Sequence, residues 1–304
     1  MTETRPRTRP WRSKAIRTNL TAYLLAGALF LLVIRVHAAM TPPSELPADE
    51  FVKEVISNEI RAEQADNSHW TYEKVEENAG QVQVEDIVET KEGSLHRLVS
   101  LNGHPLTAAQ QEAEDQRIKQ LLADPDQFRR QQEKKHADDE KMTHLMRMFP
   151  NAFHYQYDGS EDGCIRLRFV PNPSFRPPDR EAQVFHHMEG TMLADAQHKR
   201  LAGLEGQLTS EVKFGYGLLG HLDKGGTFNV RQQEVGPGVW ELILLDVQMN
   251  GKALIFKTLT VHENEAYKDY RLVPSDLTLE QAAELLRKRD TPASVASTRP
   301  ARRG

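Results

Sequence analysis

The segment Gly215–Gly220 has the spacing G-x-G-x-x-G, which binds the phosphates of a dinucleotide when it stands in the right setting. That chemistry needs a helix directly after the glycines, because the N-terminus of the helix holds the pyrophosphate. Here Gly225 and Gly226 follow shortly afterwards, and strand-like sequence lies on both sides. The segment is therefore interpreted as a glycine-hinged loop between strands, in which Leu218 and Leu219 can cover the mouth of a cavity.

The histidines do not show the spacing of a known metal motif. His186 and His187 are adjacent, so on a strand they would point to opposite faces of the sheet. His154, His198 and His221 could approach them in space, but neither H-E-x-x-H nor H-x-H occurs. The pattern predicts no metal site and no cofactor.

No arrangement of nucleophiles or carboxylates singles out a catalytic centre. The sequence lacks G-x-S-x-G, and Glu205, Glu241 and Asp246 lie among strands without the spacing of an acid–base pair. Cys164 is the single cysteine, so no intramolecular disulfide can form, and its place at a strand start favours a packed residue over a reactive thiol. The prediction is a non-enzyme, with an envelope hydrolase as an alternative because triads assemble from distant segments.

The elements that must position these groups are mainly strands. Three consecutive strands are predicted at Thr227–Val235, Val239–Met249 and Lys252–Val261, and the last two are joined by Asn250 and Gly251. Asn-Gly is typical of a type I′ hairpin turn, in which both residues take positive φ. The sequence thus predicts the register of this last pair.

The strand Val239–Met249 is apolar on both alternating faces. One face carries Trp240, Leu242 and Leu244, and the other carries Val239, Ile243, Leu245 and Val247. A sheet with two apolar faces must be covered twice, by another layer, by a helix or by a ligand.

Amphipathic helices are predicted near both ends, at Ala48–Ala65 and Ser275–Lys288. Between the strands lies a charged helical insertion, residues 107–149, read as two helices separated by Pro125. Its charged part is interpreted as a solvated face. Its methionine-rich end is interpreted as docked on the sheet, with a mobile lid over an acyl chain as the alternative.

The first 38 residues predict export. A basic start, a short apolar run at Ala22–Ile34 and small residues before the site predict a signal peptide cleaved after Ala38, with an uncleaved anchor as the alternative. No stable transmembrane span is expected after cleavage. Residues 1–38 contribute +6 to a net charge of −5, so the remainder carries −11 and is a poor match for nucleic acid. Residues 39–47 read as a linker, 48–290 as one domain and 291–304 as a disordered tail.

With these elements in place, the chain resembles the outer-membrane lipoprotein-sorting superfamily of LolA/LolB-type half-barrels, and more closely an uncharacterised bacterial branch of that group. The likeness covers roughly residues 48–273 and is strongest over 188–273. It is carried by Lys199–Leu208, Val212–Gly215, Leu222–Phe228, Val239–Glu241 and Gly251–Lys257. The long charged insertion and the missing lipobox cysteine depart from the pattern.

The resemblance implies an α+β fold: a strongly curved antiparallel half-barrel of about eleven strands, with helices covering the concave face. It implies a periplasmic, carrier-like protein that holds a lipid or a lipoprotein acyl chain without catalysis. An envelope structural or signalling module, contacting another protein through the insertion, is the alternative. The residues predicted to line the lipid cavity are Trp70, Tyr72, Phe169, Met192, Leu204, Leu218, Leu219, Trp240, Leu242, Leu244, Leu254 and Phe256.

Overall fold

The computed structural model describes residues 45–78, 80–214, 220–253 and 257–289. Within these ranges the helices are α1 (Ala48–Ala65), α2 (Ala108–Ala123), α3 (Pro125–Ala152), α4 (Leu279–Arg289) and a 3-10 helix at Glu181–His187. The strands are β1 (His69–Asn78), β2 (Gln81–Thr90), β3 (Gly93–Leu101), β4 (His104–Pro105), β5 (Phe153–Glu161), β6 (Cys164–Pro171), β7 (Met188–Asp195), β8 (Leu201–Leu208), β9 (Val212–Phe214), β10 (Gly220–Leu222), β11 (Thr227–Gly236), β12 (Val239–Ala253) and β13 (Lys257–Val273).

The strands form one antiparallel sheet with its two ends apart. Eleven of them follow the order β4-β3-β2-β1-β13-β12-β11-β8-β7-β6-β5, and β9 and β10 branch from β12. The strand β13 therefore lies between β12 and β1 and joins the early and late parts of the chain. The predicted α+β fold, a curved and unclosed sheet with helices, is confirmed.

The predicted turn at Asn250 and Gly251 is wrong. Both residues lie inside β12, where Asn250 pairs with Thr260 and Gly251 pairs with Leu259. The pairing of β12 with β13 continues as far as Ala253 with Lys257. Glycine is needed for another reason, because a Cβ at position 251 would lie 2.1 Å from the carbonyl oxygen of His221 on β10. Close approach of a third strand, not a positive φ, explains this glycine.

Strict alternation along β12 is also interrupted. The partner strand β11 pairs Arg231 with Leu244 and then Gln232 with Leu242, so that Ile243 is skipped. An extra residue of this kind is a β-bulge, which bends the strand and resets which side chains share a face. The predicted alternation of the Val239–Met249 side chains between two apolar faces therefore does not hold along the whole strand.

The largest hydrophobic cluster lies between α1 and strands β5 to β8. The buried residues of α1 have helical spacing, and Phe51, Val52 and Val55 are at most 1% exposed. Phe149, at the end of α3, is buried in the same cluster, with Leu145, Met146 and Met148 packed against it. The methionine-rich end is thus docked, as expected from the sequence.

Two smaller clusters lie at the other half of the sheet. One joins Val88 and Leu95 on the sheet to Leu286 on α4, and it also contains Ile118, Leu121 and Phe128 from the insertion. The other consists of Trp70, Tyr72 and Ile87, with Val235, Val239, Tyr267 and Tyr270 packed against it. The helix α4 begins several residues later than the predicted Ser275. Among the described residues, no helix is long and apolar enough to cross a membrane.

Local signals fix the start of both insertion helices. At α2, the Thr107 side chain accepts from the Gln110 N–H while the Gln110 side chain accepts from the Thr107 N–H, forming a capping box. At α3, Asp124 caps the Gln127 N–H and Pro125 occupies the first turn, where its missing N–H costs nothing. The predicted break at Pro125 is confirmed.

Candidate functional site

A cavity of about 440 Å³ lies between the sheet and the helical insertion. Strands β2 and β3 form one wall, and helices α2 and α3 form the other. Most of its lining side chains are polar or charged: Gln83, Glu85, Ser94, His96, Leu98, Glu114, Arg117, Leu121, Gln131, Gln132 and Lys135. A second hollow of about 610 Å³ is bordered by residues between 177 and 183, from the loop before the 3-10 helix and the start of that helix.

The insertion completes the hydrogen bonds of the outer edge of β3. Glu114 accepts from the N–H of Leu98 at 2.9 Å, and Arg117 donates to the carbonyl of His96 at 2.6 Å. Farther along the edge, the Gln132 Oε1 accepts from the N–H of Ser94 at 3.3 Å. Unpaired edge groups attract other strands, so this arrangement both places the cavity wall and protects the sheet edge.

Arg117 and Glu114 also form an ion pair with two hydrogen bonds, at 2.6 and 2.9 Å. Burial acts to raise the pKa of Glu114, but the hydrogen bonds from Arg117 and from the Leu98 N–H outweigh it and hold that pKa below its usual value. The hydrogen bond to Glu114 raises the pKa of Arg117. Both groups are therefore charged, and they are bonded to each other and to β3.

A second charged network lies at the sheet side of the cavity. The Lys74 Nζ is 2.7 Å from Glu76, 3.4 Å from Glu265 and 3.6 Å from Glu85. His96 Nδ1 lies 3.2 Å from the same Glu85 carboxylate. The hydrogen bond with His96 is the main cause that lowers the pKa of Glu85, with Lys74 adding to it against burial.

Lys135, on α3, differs from the other cations of the lining. Its Nζ lies 3.4 Å from the Ser94 Oγ, and it makes no ion pair with any residue that the structure describes. Two carboxylates in electrostatic reach of it, Glu89 and Glu241, have raised pKa values because they are buried. For Glu241 burial, with the charges of Glu89 and Asp66, raises the pKa to about 7.

The aromatic cluster adjoins the cavity. Ile87 pairs across the strands with His96 on one side and with Tyr72 on the other, so the three side chains share a face. Tyr72 stacks on Tyr270 with ring centroids 4.8 Å apart, and Trp70 meets Tyr270 edge-on at 6.2 Å. Burial raises the pKa of Tyr72, so its hydroxyl is neutral.

The predicted cavity residues fall into separate groups. Phe169 and Met192 are 0% exposed in the large cluster, where neighbouring side chains fill the space, and Leu204 is half-buried against them. Trp70 and Tyr72 belong to the aromatic cluster on the other half.

The remaining predicted lining residues do not join either group in the described part of the chain. Trp240, Leu242 and Leu244 are half-buried, and the Trp240 Nε1 is buried without a hydrogen-bond partner there. The four residues Leu218, Leu219, Leu254 and Phe256 lie outside the described residues, as do the predicted signal peptide and tail.

One row of directly opposed residues links the two halves of the sheet. Cross-strand pairs place its members on one face, in the order Leu167, Met192, Leu204, Val230, Leu245, Glu265, Glu76, Gln83. The first two are fully buried, the next three are half-buried and apolar, and the last three are polar. Successive strands lie ~4.8 Å apart, so the part from Leu204 to Gln83 spans roughly 24 Å.

Sequence reasoning missed the charged members of the site. The sequence predicts a solvated face for the charged part of the insertion, yet Glu114, Arg117 and Lys135 line the cavity. The polar alternation of Gln83 with Glu85, and of Ser94 with His96, was the available signal, because i and i+2 on a strand share a face. It did not reveal that a helix would lie opposite.

The histidine pair is placed differently from the prediction. His186 and His187 end the 3-10 helix before β7 and are not on a strand. His187 Nδ1 lies 2.7 Å from the Ser210 Oγ. Over the ranges that the structure describes, no group of three His, Cys, Asp or Glu residues could hold a metal ion.

No protein-family model and no curated protein matches the chain. Among solved structures, a DUF1329 family protein from Desulfovibrio piger ATCC 29098 is similar at 10% identity, covering 75% of this chain and 94% of that chain, with a TM-score of 0.27. The chain thus has a structural neighbour in an uncharacterised family at low identity. A likeness this weak carries no argument about function, and the resemblance to the lipoprotein-sorting half-barrels stays a prediction.

Proposed function

We propose that the protein is an exported, non-catalytic carrier that holds the alkyl chain of an amphiphile, such as a lipid or a lipoprotein acyl group, across its curved sheet. The row from Leu204 to Gln83 carries this proposal, because its side chains change from apolar to charged along a single face. Sites that bind an alkyl chain need apolar contacts for the chain and a few polar groups that fix its orientation.

The alkyl chain is placed on the half-buried part of the row, at Leu204, Val230 and Leu245. The neighbouring Leu167 and Met192 are already enclosed by protein side chains, so they pack beside the proposed binding surface and do not contact the ligand. The polar end of the amphiphile then reaches the cavity under the insertion.

Substitution of the half-buried leucine tests this placement. Leu245→Gln puts an amide where the chain is proposed to lie, and burying a polar group without a partner weakens apolar binding by about tenfold or more. The readout is the affinity for a neutral alkyl ligand, monododecanoylglycerol, measured by intrinsic tryptophan fluorescence. The control is Leu272→Gln, at a leucine that is 66% exposed.

The expected result is weakened binding in Leu245→Gln and unchanged binding in Leu272→Gln, with both variants showing the far-UV circular dichroism of the parent. Protein purified gently from its native envelope is also expected to carry lipid in mass spectrometry. Lipid-free protein that binds neither monododecanoylglycerol nor fatty acids in vitro would remove the proposal.

A further inference from the structure

We infer that the cavity under the insertion binds an anionic headgroup, a carboxylate or a phosphate monoester, with Lys135 as its main anchor. The alkyl chain attached to that headgroup rests on the proposed function; the anion site itself does not. The positively charged side chains of the lining differ in how many partners they already have.

Three lining side chains can carry a positive charge: His96, Arg117 and Lys135. Arg117 is engaged by Glu114 through two hydrogen bonds and by the His96 carbonyl. The His96 ring is engaged by Glu85 at 3.2 Å. An incoming anion would have to share Arg117 with Glu114 and would compete with Glu85 for the His96 ring.

Lys135 needs no such exchange. Within the described residues its ammonium contacts only the Ser94 hydroxyl, at 3.4 Å, although it has three donors. It lies at the rim of the cavity and is exposed, so a ligand can reach it. A cation with free donors beside a hydroxyl and the amide of Gln132 is a suitable arrangement for carboxylate or phosphate oxygens.

Glu114 is paired with Arg117, and Glu85 shares Lys74 with Glu76 and Glu265 and lies 3.2 Å from the His96 ring. Burial favours the neutral forms of Glu89 and Glu241, which lie within electrostatic reach of Lys135. A cationic headgroup, in contrast, would compete with Lys135 for these carboxylates.

The test compares three alkyl ligands of one chain length: dodecanoate, dodecyl phosphate and neutral monododecanoylglycerol. Inorganic phosphate alone is a fourth probe, which separates the headgroup from the chain. Affinities are measured by isothermal titration calorimetry for the full chain and for the variants Lys135→Glu and Lys134→Glu. Lys134 is the neighbouring exposed lysine and is not part of the lining, so it controls for net charge.

Reversing a charge at an exposed contact changes affinity by about tenfold. We expect an anionic ligand to bind at least that much more tightly than the neutral one, and we expect this preference to disappear in Lys135→Glu and to persist in Lys134→Glu. Equal affinity for anionic and neutral ligands, or a preference that Lys135→Glu leaves unchanged, overturns the anion site while the carrier proposal stands. If inorganic phosphate binds in a Lys135-dependent way but no alkyl ligand binds, the carrier proposal fails and the anion site stands.

Discussion

The half of the sheet around β6 and β7 and the half around β2 and β3 are both antiparallel. They differ in how the space between the sheet and its helices is filled. On the first half, Leu167 and Met192 are completely enclosed by α1 and by the end of α3. On the second half, the helices of the insertion leave a charged cavity of about 440 Å³. The first half is therefore filled by packed side chains, whereas the second half combines a buried cluster around Val88 and Leu95 with a charged cavity.

The largest effect expected from this contrast is on folding. Leu167→Ala removes a side chain that is 0% exposed, and such truncations cost about 2–5 kcal/mol through lost burial and the cavity left behind. The matched change on the other half is Leu98→Ala, at a leucine that borders the cavity. We expect the second change to cost about 1 kcal/mol or less, because cavity-lining atoms already lack full packing. Urea unfolding measures both, and equal losses would contradict the contrast.

A smaller effect is expected where the insertion meets the edge of β3. Glu114→Ala leaves the Leu98 N–H and Arg117 without their shared acceptor, which costs roughly 1–3 kcal/mol for buried groups. The control is Glu112→Ala, at an exposed residue two positions earlier on α2. Thermal unfolding compares them, together with size-exclusion chromatography, because an uncovered edge favours association. An effect no larger than that of the control would show that the helix does not protect the edge.

The smallest effect is a gain in stability that depends on pH. Burial raises the pKa of Glu241 to about 7, so the folded state favours the protonated form. That contribution is fully present below the unfolded pKa, about 4.3, and is lost as pH rises through 7. Glu241→Gln is therefore expected to be more stable than the parent by roughly 1–2 kcal/mol at pH 8, reduced from the full linkage value because the site is partly exposed.

At pH 4 the same substitution is expected to have little effect, since the pH is then below the pKa of the parent carboxyl in both states and the protonated form predominates in each. The control Glu263→Gln, at an exposed position of β13, is expected to leave the stability unchanged at both values of pH. A stability difference between Glu241→Gln and the parent that does not change between pH 4 and pH 8 would show that the Glu241 carboxyl is not shifted.

Much of the fold could be predicted from local patterns, because periodicity and breakers act over short distances. The spacing of Phe51, Val52 and Val55 predicted α1, and Pro125 predicted the break between the insertion helices. Asn250 and Gly251 misled the prediction, since a third strand, β10, pairs with Gly251 and keeps it inside β12. That pairing is a long-range contact, and no nearby residue indicates it.

The candidate site was less predictable than the fold for the same reason. Leu204 could be named because apolar alternation marks a covered face, and it does lie on the row proposed to hold the alkyl chain. Lys135 could not, because one lysine among many on a polar helix has no local distinction. It is distinguished by its partners, because Glu114 pairs with Arg117 and Glu85 contacts His96, while no described carboxylate pairs with Lys135.

The hydrogen bonds between β3 and the insertion also make the exchange of individual amide hydrogens informative. The Leu98 N–H is held by a side chain of α2, and the Ser94 N–H is held by a side chain of α3. Amide exchange at each position therefore requires the corresponding helix to lift, even when the rest of the sheet stays folded. Two residues on one strand thus act as separate reporters of how often each helix of the insertion opens, and a bound ligand that closes the cavity will slow both.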